Sequence, residues 1–289
     1  QDLANRLRLG SFAEDGLSYK EKFMVRTYEV GINAVATIES MANYLQDATC
    51  NCFQSIDEPT GGSYSSLMKE LHLTLVTTRM HIEIYRYPSW SNVVQIETWF
   101  QLQGKVRAQQ HYIITDHATG EVIGRAVSDW VAMNTNTRQL QKIPDEIHHR
   151  LYTKNLSSSS RSAFPEGNNS GLRKIDKLED PARFCKTGIT PRHSDIDPNL
   201  HVNNVTYIGW ILESLPLDIF QTQELEAITL QFRHECRLHD VVDSLASPEP
   251  VFEDDKNKRN GGYDQFIHLL RFSNQGYELN RARTLWRRK

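Results

Sequence analysis

One string in this sequence comes back a second time. "GEVIGRAVSDW" at residues 120–130 returns as "GYELNRARTLW" at 276–286, with Gly120, Arg125, Ala126 and Trp130 matched by Gly276, Arg281, Ala282 and Trp286 at one common offset. "SNVVQIET" and "HDVVDSLA" correspond too, at a slightly different offset that loop lengths absorb. A duplication on this scale requires both halves to adopt one architecture. The apolar pattern agrees. Residues 17–30 alternate polar and apolar and read as a strand. Ile38, Met41, Ala42, Leu45, Thr49 and Cys52 then fall on one face at helical spacing. Strands are expected over 73–86, 92–103, 106–116 and 121–133, with "HATG" supplying the turn between the last two. The same order follows later. A strand at 185–192 precedes a helix in "NNVTYIGWILESLP" that buries Val205, Ile208, Leu212 and Leu215. Strands at 225–236, 239–247, 262–272 and 276–287 complete the second set.

A strand, a long helix and an antiparallel meander curled round it make a hotdog unit, and two in tandem make an α+β double hotdog. The expected division is an N-terminal extension over 1–16, a first repeat over 17–150, a linker over 151–184 and a second repeat over 185–289. The linker contains "NLSSSSRSAFPEGNNSG", too poor in apolar residues to order itself alone. A length of 289 residues leaves room for two such units. The net charge of −3 gives no whole-protein attraction to nucleic acid or anionic membrane. No apolar run approaches the roughly 20 residues of a membrane helix. Four cysteines, Cys50, Cys52, Cys185 and Cys236, are too few for a disulfide scaffold and point to a reducing compartment. The sequence opens on Gln1 without a signal-like apolar segment, as expected of a form from which a targeting peptide has been removed.

The densest polar stretch is "DIDPNLHVNN", residues 195–204. Asp197, Asn199 and His201 sit at i, i+2 and i+4, and Pro198 pushes Asp197 toward an extended conformation. In an extended segment the three side chains would share one face. Asn203 or Asn204 is the natural N-cap of the helix that follows, so its first amides would lie near the same cluster. A calcium loop is matched by Asp195, Asp197 and Asn199. However, Leu200 stands where the tight turn needs glycine and Thr206 where a bidentate glutamate is required. Zinc would need more than His193 and His201. No metal and no cofactor is expected.

The plain alternative is that these residues only cap the helix and bridge to the sheet. Against it stands the asymmetry of the repeats. "YEVGINAVATIE" occupies the corresponding place in the first, and only Glu29 and Asn33 resemble the second set. A structural device ought to appear in both. "FRHEC" then puts Glu235 and Cys236 on the strand after the helix, where neighbours face opposite sides. Either Glu235 meets His201 as base or orienting carboxylate, or Cys236 meets it as a nucleophile. A carboxylate beside the thiol would weaken the latter, which favours Glu235.

At "DPNLHVNNVTYIGWILES" the sequence resembles the plant acyl-ACP thioesterases, and "LSYKEKF", "YEVG", "RMHIEIYRYPSWSNVV", "TGEVIGRA", "LEDPA" and "RHEC…DVVDSL" agree. "LSYKEKF", "MHIEIYRYP" and "LEDPA" are similar to the A class, which favours long unsaturated substrates, rather than to the B class, which favours saturated ones. The resemblance implies a double hotdog with catalysis in the second repeat and the acyl tail held mainly by the first. It implies catalytic roles for Asp197, Asn199, His201, Glu235 and Cys236, and plastid stroma as the location. The partner would be acyl carrier protein loaded with a fatty acyl group. A homodimer is compatible with the fold. On this reading Asn199 polarises the thioester carbonyl, His201 is oriented by Asp197 and shares proton handling with Glu235, and Cys236 is the minor nucleophile. Ile38, Met41 and Leu45 on the first helix would line the acyl chamber. "RARTLWRR", with Arg281, Arg283, Arg287 and Arg288, would meet the acidic carrier. Two departures stand out. Pro198 and Leu200 replace the family's usual residues around the asparagine, and Gln109–Gln110 replace a common basic pair. An acyl-CoA thioesterase and a non-catalytic acyl-binding protein are the rival readings.

Overall fold

The computed structural model describes residues 10–55, 64–145, 147, 161–164, 171, 173–251 and 262–289. Two units divide these residues. The first takes those up to Thr78 and those from Arg86 to Phe164. The second takes Arg79–Tyr85 and those from Gly171 onward.

The first unit contains β1 (Gly10–Phe12), β2 (Tyr19–Met24), α1 (Ile38–Ser55), α2 (Tyr64–Glu70), the first half of β3 (Leu73–Ile84), β4 (Val93–Gln103), β5 (Arg107–Asp116) and β6 (Val122–Asn134). Its antiparallel strands run in the order β1-β2-β4-β5-β6-β3. Thr37 starts α1, its hydroxyl accepting the Ser40 N–H at 3.1 Å. All six positions expected on the helix's apolar face are buried. Midway along, the Thr49 hydroxyl meets the Tyr112 hydroxyl at 2.8 Å, fixing the helix against β5 where both polar groups are out of water.

The second unit contains the rest of β3, β7 (Phe184–Ile189), α3 (Asn204–Leu212), α4 (Leu217–Thr222), β8 (Gln223–Phe232), β9 (Val242–Glu249), β10 (Tyr263–Phe272) and β11 (Glu278–Arg288). Its order is β3-β8-β11-β10-β9-β7. The fold class is therefore the expected α+β double hotdog. The division within β3 follows from pairing, since Arg79–Glu83 lie opposite Gln231–Ala227 of β8. The turns show why the repeated glycines recur. Gly120 has φ 74° and donates its N–H to the Asp116 carbonyl at 2.8 Å; Gly276 has φ 69° and donates to Phe272 at 3.0 Å. A side chain is disfavoured in that left-handed conformation.

Three expected strands are shorter than their patterns. The strand read over 17–30 ends at Met24, because the Arg26 N–H donates to Glu29 Oε2 at 2.7 Å and winds Thr27–Glu29 into a 3-10 turn. The strand read over 185–192 is likewise cut at Ile189, ahead of Pro191 and a second such turn at His193–Asp195. That read over 225–236 ends at Phe232. The helices α2 and α4 carried no clear periodic signal.

The described parts of the 151–184 stretch, which its composition does not order alone, are held down by side chains within each unit. In the first unit, Trp99 Nε1 and Gln101 Nε2 donate to the Arg161 carbonyl at 2.9 and 2.7 Å, and Ala163 is buried. In the second, Arg79 donates to the Arg173 carbonyl at 2.6 Å and Arg281 to Ile175 at 3.2 Å. Ile175 and Leu178 pack with Leu245, Ile267 and Leu269. Order here is imposed by long side chains reaching up from the strands, which local composition does not register.

Two core histidines make stability pH-dependent. His111 stacks on Trp99 and His268 meets the Thr284 hydroxyl at 2.7 Å. Burial pushes the first imidazole down to about 4 and the second to about 3. Both are neutral in the fold, whereas in the unfolded state they take up protons near pH 6.5. Their contribution is thus full above that pH and is lost as pH falls toward 4, by up to about 1.4 kcal/mol per histidine per pH unit. The melting temperature should hold from pH 8 to 7 and fall between pH 6.5 and 4.5. His268→Gln should flatten that fall; a flat profile in the parent would contradict the assignment.

Candidate active site

The polar stretch after β7 is a hairpin, and its first half is built by Asp195. The Arg192 N–H donates to Asp195 Oδ2 at 2.7 Å and the guanidinium to Oδ1 at 3.1 Å, which lets this carboxylate be buried. Ile196 and Val202 then pair across an antiparallel bridge. Between them the Asp197 N–H donates to the His201 carbonyl at 2.8 Å and the Leu200 N–H to the Asp197 carbonyl at 2.9 Å. Residues 197–200 are therefore a tight turn rather than an extended segment, with Leu200 at φ 64° and its side chain in solvent. The alternation that would put Asp197, Asn199 and His201 on one face does not apply.

What joins the three is the Asp197 carboxylate. Oδ1 accepts the N–H groups of Asn199 (2.9 Å) and His201 (3.0 Å), and Oδ2 accepts from Asn199 Nδ2 at 3.3 Å. Asp197 thus fixes the backbone beneath His201 and orients the Asn199 amide; it acts on the histidine through the main chain. One of the two Asn199 amide hydrogens is used here, leaving a second donor on an exposed side chain. Asn203 caps α3, its Oδ1 accepting the Val205 N–H at 2.9 Å.

The imidazole finds its partner across the unit. His201 Nε2 lies 3.2 Å from Glu235 Oε2, and both side chains are partly open to solvent. Glu235 and Cys236 sit in the loop after β8, so strand alternation does not set their directions. Backbone bonding does. The Val202 N–H donates to the Cys236 carbonyl at 2.8 Å, and the Cys236 N–H donates to the Tyr207 hydroxyl at 3.1 Å. The Cys236 thiol is buried, 3.8 Å from the Arg237 carbonyl. Burial first, and then the Asp240 carboxylate, push it up to about 12.

The first unit contains the same hairpin. Val30 pairs with Ala36, the Gly31 N–H donates to the Val35 carbonyl at 2.9 Å, and the Ala34 N–H to the Gly31 carbonyl at 3.0 Å. Ala34 has φ 60°, like Leu200. The Ala36 N–H donates to the Pro88 carbonyl at 2.8 Å, as Val202 does to Cys236. The structural device therefore does occur in both repeats, which corrects the sequence argument. What differs is the cargo: Gly31 stands for Asp197, Asn33 for Asn199, Val35 for His201, Tyr87 for Glu235 and Pro88 for Cys236. The hairpin closes without Asp197, His201 or Glu235, so helix capping and bridging do not account for them.

Ile38, Met41 and Leu45 are buried on α1 of the first unit. Gln109 donates to Asp129 at 2.7 Å, while Gln110 is wholly buried and donates to Thr98 at 3.1 Å, so Gln110 cannot touch a carrier. The expected basic strip is largely neutralised. Arg281 pairs with Glu278 at 2.9 Å, Arg283 with Glu249 at 2.6 Å, and Arg287 with Glu224 at 2.5 Å. Of the four, Arg288 is the most exposed. Sequence reasoning missed Arg192 and Tyr207. Pairing the two helix caps, Thr37 and Asn203, would have exposed Tyr207 as a hydroxyl opposite Met41.

The family model for the acyl-ACP thioesterase N-terminal domain matches residues 16–151, and that for the C-terminal domain matches 178–288. The sequence is 52% identical to oleoyl-acyl carrier protein thioesterase 2, chloroplastic, of Arabidopsis thaliana, over 99% of this chain and 81% of that protein. Identity to the palmitoyl-acyl carrier protein thioesterase of Cuphea hookeriana is 38%, over 99% of this chain and 66% of the relative. Among solved structures, the 12:0-ACP thioesterase from Umbellularia californica superposes with a TM-score of 0.80 at 32% identity, covering 95% of each chain.

Because the first-unit hairpin closes on glycine and the three hydrogen bonds of the Asp197 carboxylate lie where water can replace them, Asp197→Ala should cost only about 1–2 kcal/mol of stability. Turnover should fall further, by about 10- to 100-fold, as His201 and Asn199 lose their placement. Thermal unfolding beside steady-state kinetics checks this; a large stability loss at unchanged turnover would make Asp197 purely structural.

Proposed function

The protein belongs to the acyl-ACP thioesterase family, and from that membership and the geometry of the second unit we propose a water-based hydrolysis driven by His201 and Glu235. The enzyme is a thioester hydrolase: it cleaves long-chain acyl-ACP thioesters and releases the free fatty acid. The 3.2 Å contact between His201 Nε2 and Glu235 Oε2 carries the mechanistic reading. Such a pair can take one proton and give it back. Water attacks the acyl carbon while the pair accepts its proton. The C–S bond of the tetrahedral intermediate then breaks, and the proton passes to the departing sulfur. Asn199 donates to the oxygen on which negative charge gathers, a role worth on the order of 10²–10³ in rate. Asp197 keeps Asn199 and His201 in place.

Cys236 is not the nucleophile on this reading. With its thiol pushed up to about 12, the thiolate is scarce near neutral pH. Its sulfur turns to the Arg237 carbonyl, while the carboxylate of Glu235 is the group that meets the imidazole.

Identity of 52% to an oleoyl-ACP thioesterase against 38% to a palmitoyl-ACP thioesterase supports a long unsaturated acyl group as the preferred substrate. Ile38, Met41 and Leu45 are assigned to the acyl tail, on which one methylene discriminates by about 1–3 kcal/mol. The relatives named chloroplastic support a plastid location, with acyl carrier protein as the partner that delivers substrate.

His201→Ala and Glu235→Ala should each lower kcat by roughly 10²–10⁴, the range for general acid–base help. Cys236→Ala should remain near the parent rate; collapse in Cys236→Ala with activity retained in Glu235→Ala would reinstate the thiol as nucleophile. Matched oleoyl and palmitoyl thioesters of carrier protein and of CoA settle the substrate. Faster turnover of oleoyl-ACP is expected, and preference for the CoA esters would reject the carrier-protein reading.

A further inference from the structure

The Tyr207 hydroxyl takes no part in the hydrolysis described above, yet it is buried beside the site. It accepts the Cys236 N–H at 3.1 Å. Its ring is held edge-on by Trp210 at 5.6 Å and Phe232 at 5.9 Å, so the hydroxyl has little freedom to go elsewhere. Cys236 is thereby gripped on both sides, its N–H by Tyr207 and its carbonyl by the Val202 N–H at 2.8 Å. The peptide that Tyr207 grips joins Glu235 to Cys236, so its orientation fixes where the Glu235 carboxylate emerges. The Val202 grip joins the same loop to the hairpin, next to His201.

The two grips behave differently in the duplicate. The carbonyl grip is present in both units, since Ala36 donates to Pro88 at 2.8 Å as Val202 does to Cys236. The N–H grip is missing from the first unit at both ends. Pro88 has no N–H to give. Counting from the helix caps, Met41 stands where Tyr207 stands, and it has no hydroxyl to receive one. The first unit also lacks the acid–base pair, with Val35 and Tyr87 in place of His201 and Glu235. The fold therefore forms without this bond, and the bond occurs in the unit that has the pair.

We propose that Tyr207 is a positioning residue for hydrolysis: by holding the Glu235–Cys236 peptide it aims the Glu235 carboxylate at His201. The inference rests on the His201–Glu235 reading given above. It also assigns Cys236 a role that its buried thiol does not explain, as a residue whose main-chain groups are both engaged. An alanine there keeps those groups, whereas a proline would delete the donor.

Tyr207→Phe keeps the ring and removes the oxygen. It should lower kcat by about 10- to 100-fold, the scale of an ångström-sized displacement of a catalytic group, with KM within about twofold. The same substitution in a Glu235→Gln background should change the residual rate by less than about twofold, because the carboxylate it aims is already gone. A merely structural tyrosine would lower the rate equally in both backgrounds, and that result overturns the proposal, as does a parent-like kcat in Tyr207→Phe. Amide hydrogen exchange read by mass spectrometry gives a check independent of turnover. The peptide containing Cys236 should exchange faster in Tyr207→Phe, and unchanged protection would also overturn the proposal. If Glu235→Gln alone turned over like the parent, the hydrolysis scheme itself would fall, a signature distinct from a failure of Tyr207.

Discussion

A backbone hydrogen bond, from the Val202 N–H to the Cys236 carbonyl, joins the two loops of the proposed site. The loops are far apart in sequence. One is a turn closed on itself between Ile196 and Val202; the other trails from the end of β8. Neither is held by strand pairing where it matters, so their mutual placement depends on this joint and on the elements at either side. His201 directly precedes the donor and Glu235 directly precedes the acceptor. The main chain thus brings the imidazole and the carboxylate within reach of their 3.2 Å approach. That bears on catalysis, because a main-chain joint costs little side-chain entropy and cannot be lost by a rotamer change.

The same joint in the first unit, between Ala36 and Pro88, separates what the fold needs from the residues assigned to the proposed reaction. Duplicated backbone bonds, the left-handed residue at the turn and the cap on the following helix recur in both units, and so belong to the architecture. Asp197, His201, Glu235 and the Tyr207 hydroxyl occur in one. None of those four is required to close a hairpin of this kind, since a glycine, a valine, a tyrosine and a methionine occupy their places in the other. A freely folding scaffold with polar groups added in one copy is a simpler account than a polar cluster that holds the scaffold up.

Legibility from sequence followed the same line. The repeat, the order of elements and the helix face Ile38–Cys52 could be read because each rests on periodic burial, which one-dimensional patterns carry directly. The site residues could be named because of their chemistry and their resemblance to a family. Their geometry could not be read. Alternation over Asp197, Asn199 and His201 suggested an extended segment, whereas the Asp197 carboxylate makes more hydrogen bonds by folding the backbone into a turn than by pointing three groups one way. The arginines of β11 read as a docking surface, but Arg281 pairs with Glu278 of its own strand, Arg283 with Glu249 of β9 and Arg287 with Glu224 of β8. Tertiary partners of charged side chains leave no local trace.

On the proposed mechanism, Cys236 is conspicuous for the wrong atom. A cysteine next to a glutamate and in reach of a histidine invites a nucleophile reading. Yet nucleophilicity needs the thiolate, and burial beside Asp240 opposes that charge. The same burial serves the main chain. In a region from which water is excluded, a peptide N–H and carbonyl must find protein partners or bear the full cost of desolvation. Those of Cys236 find Tyr207 and Val202. A small side chain that tolerates burial lets both partners close in, and the glutamate before it is turned outward to the imidazole. On the proposed mechanism the thiol is then the inert end of a residue whose backbone holds the loop in place.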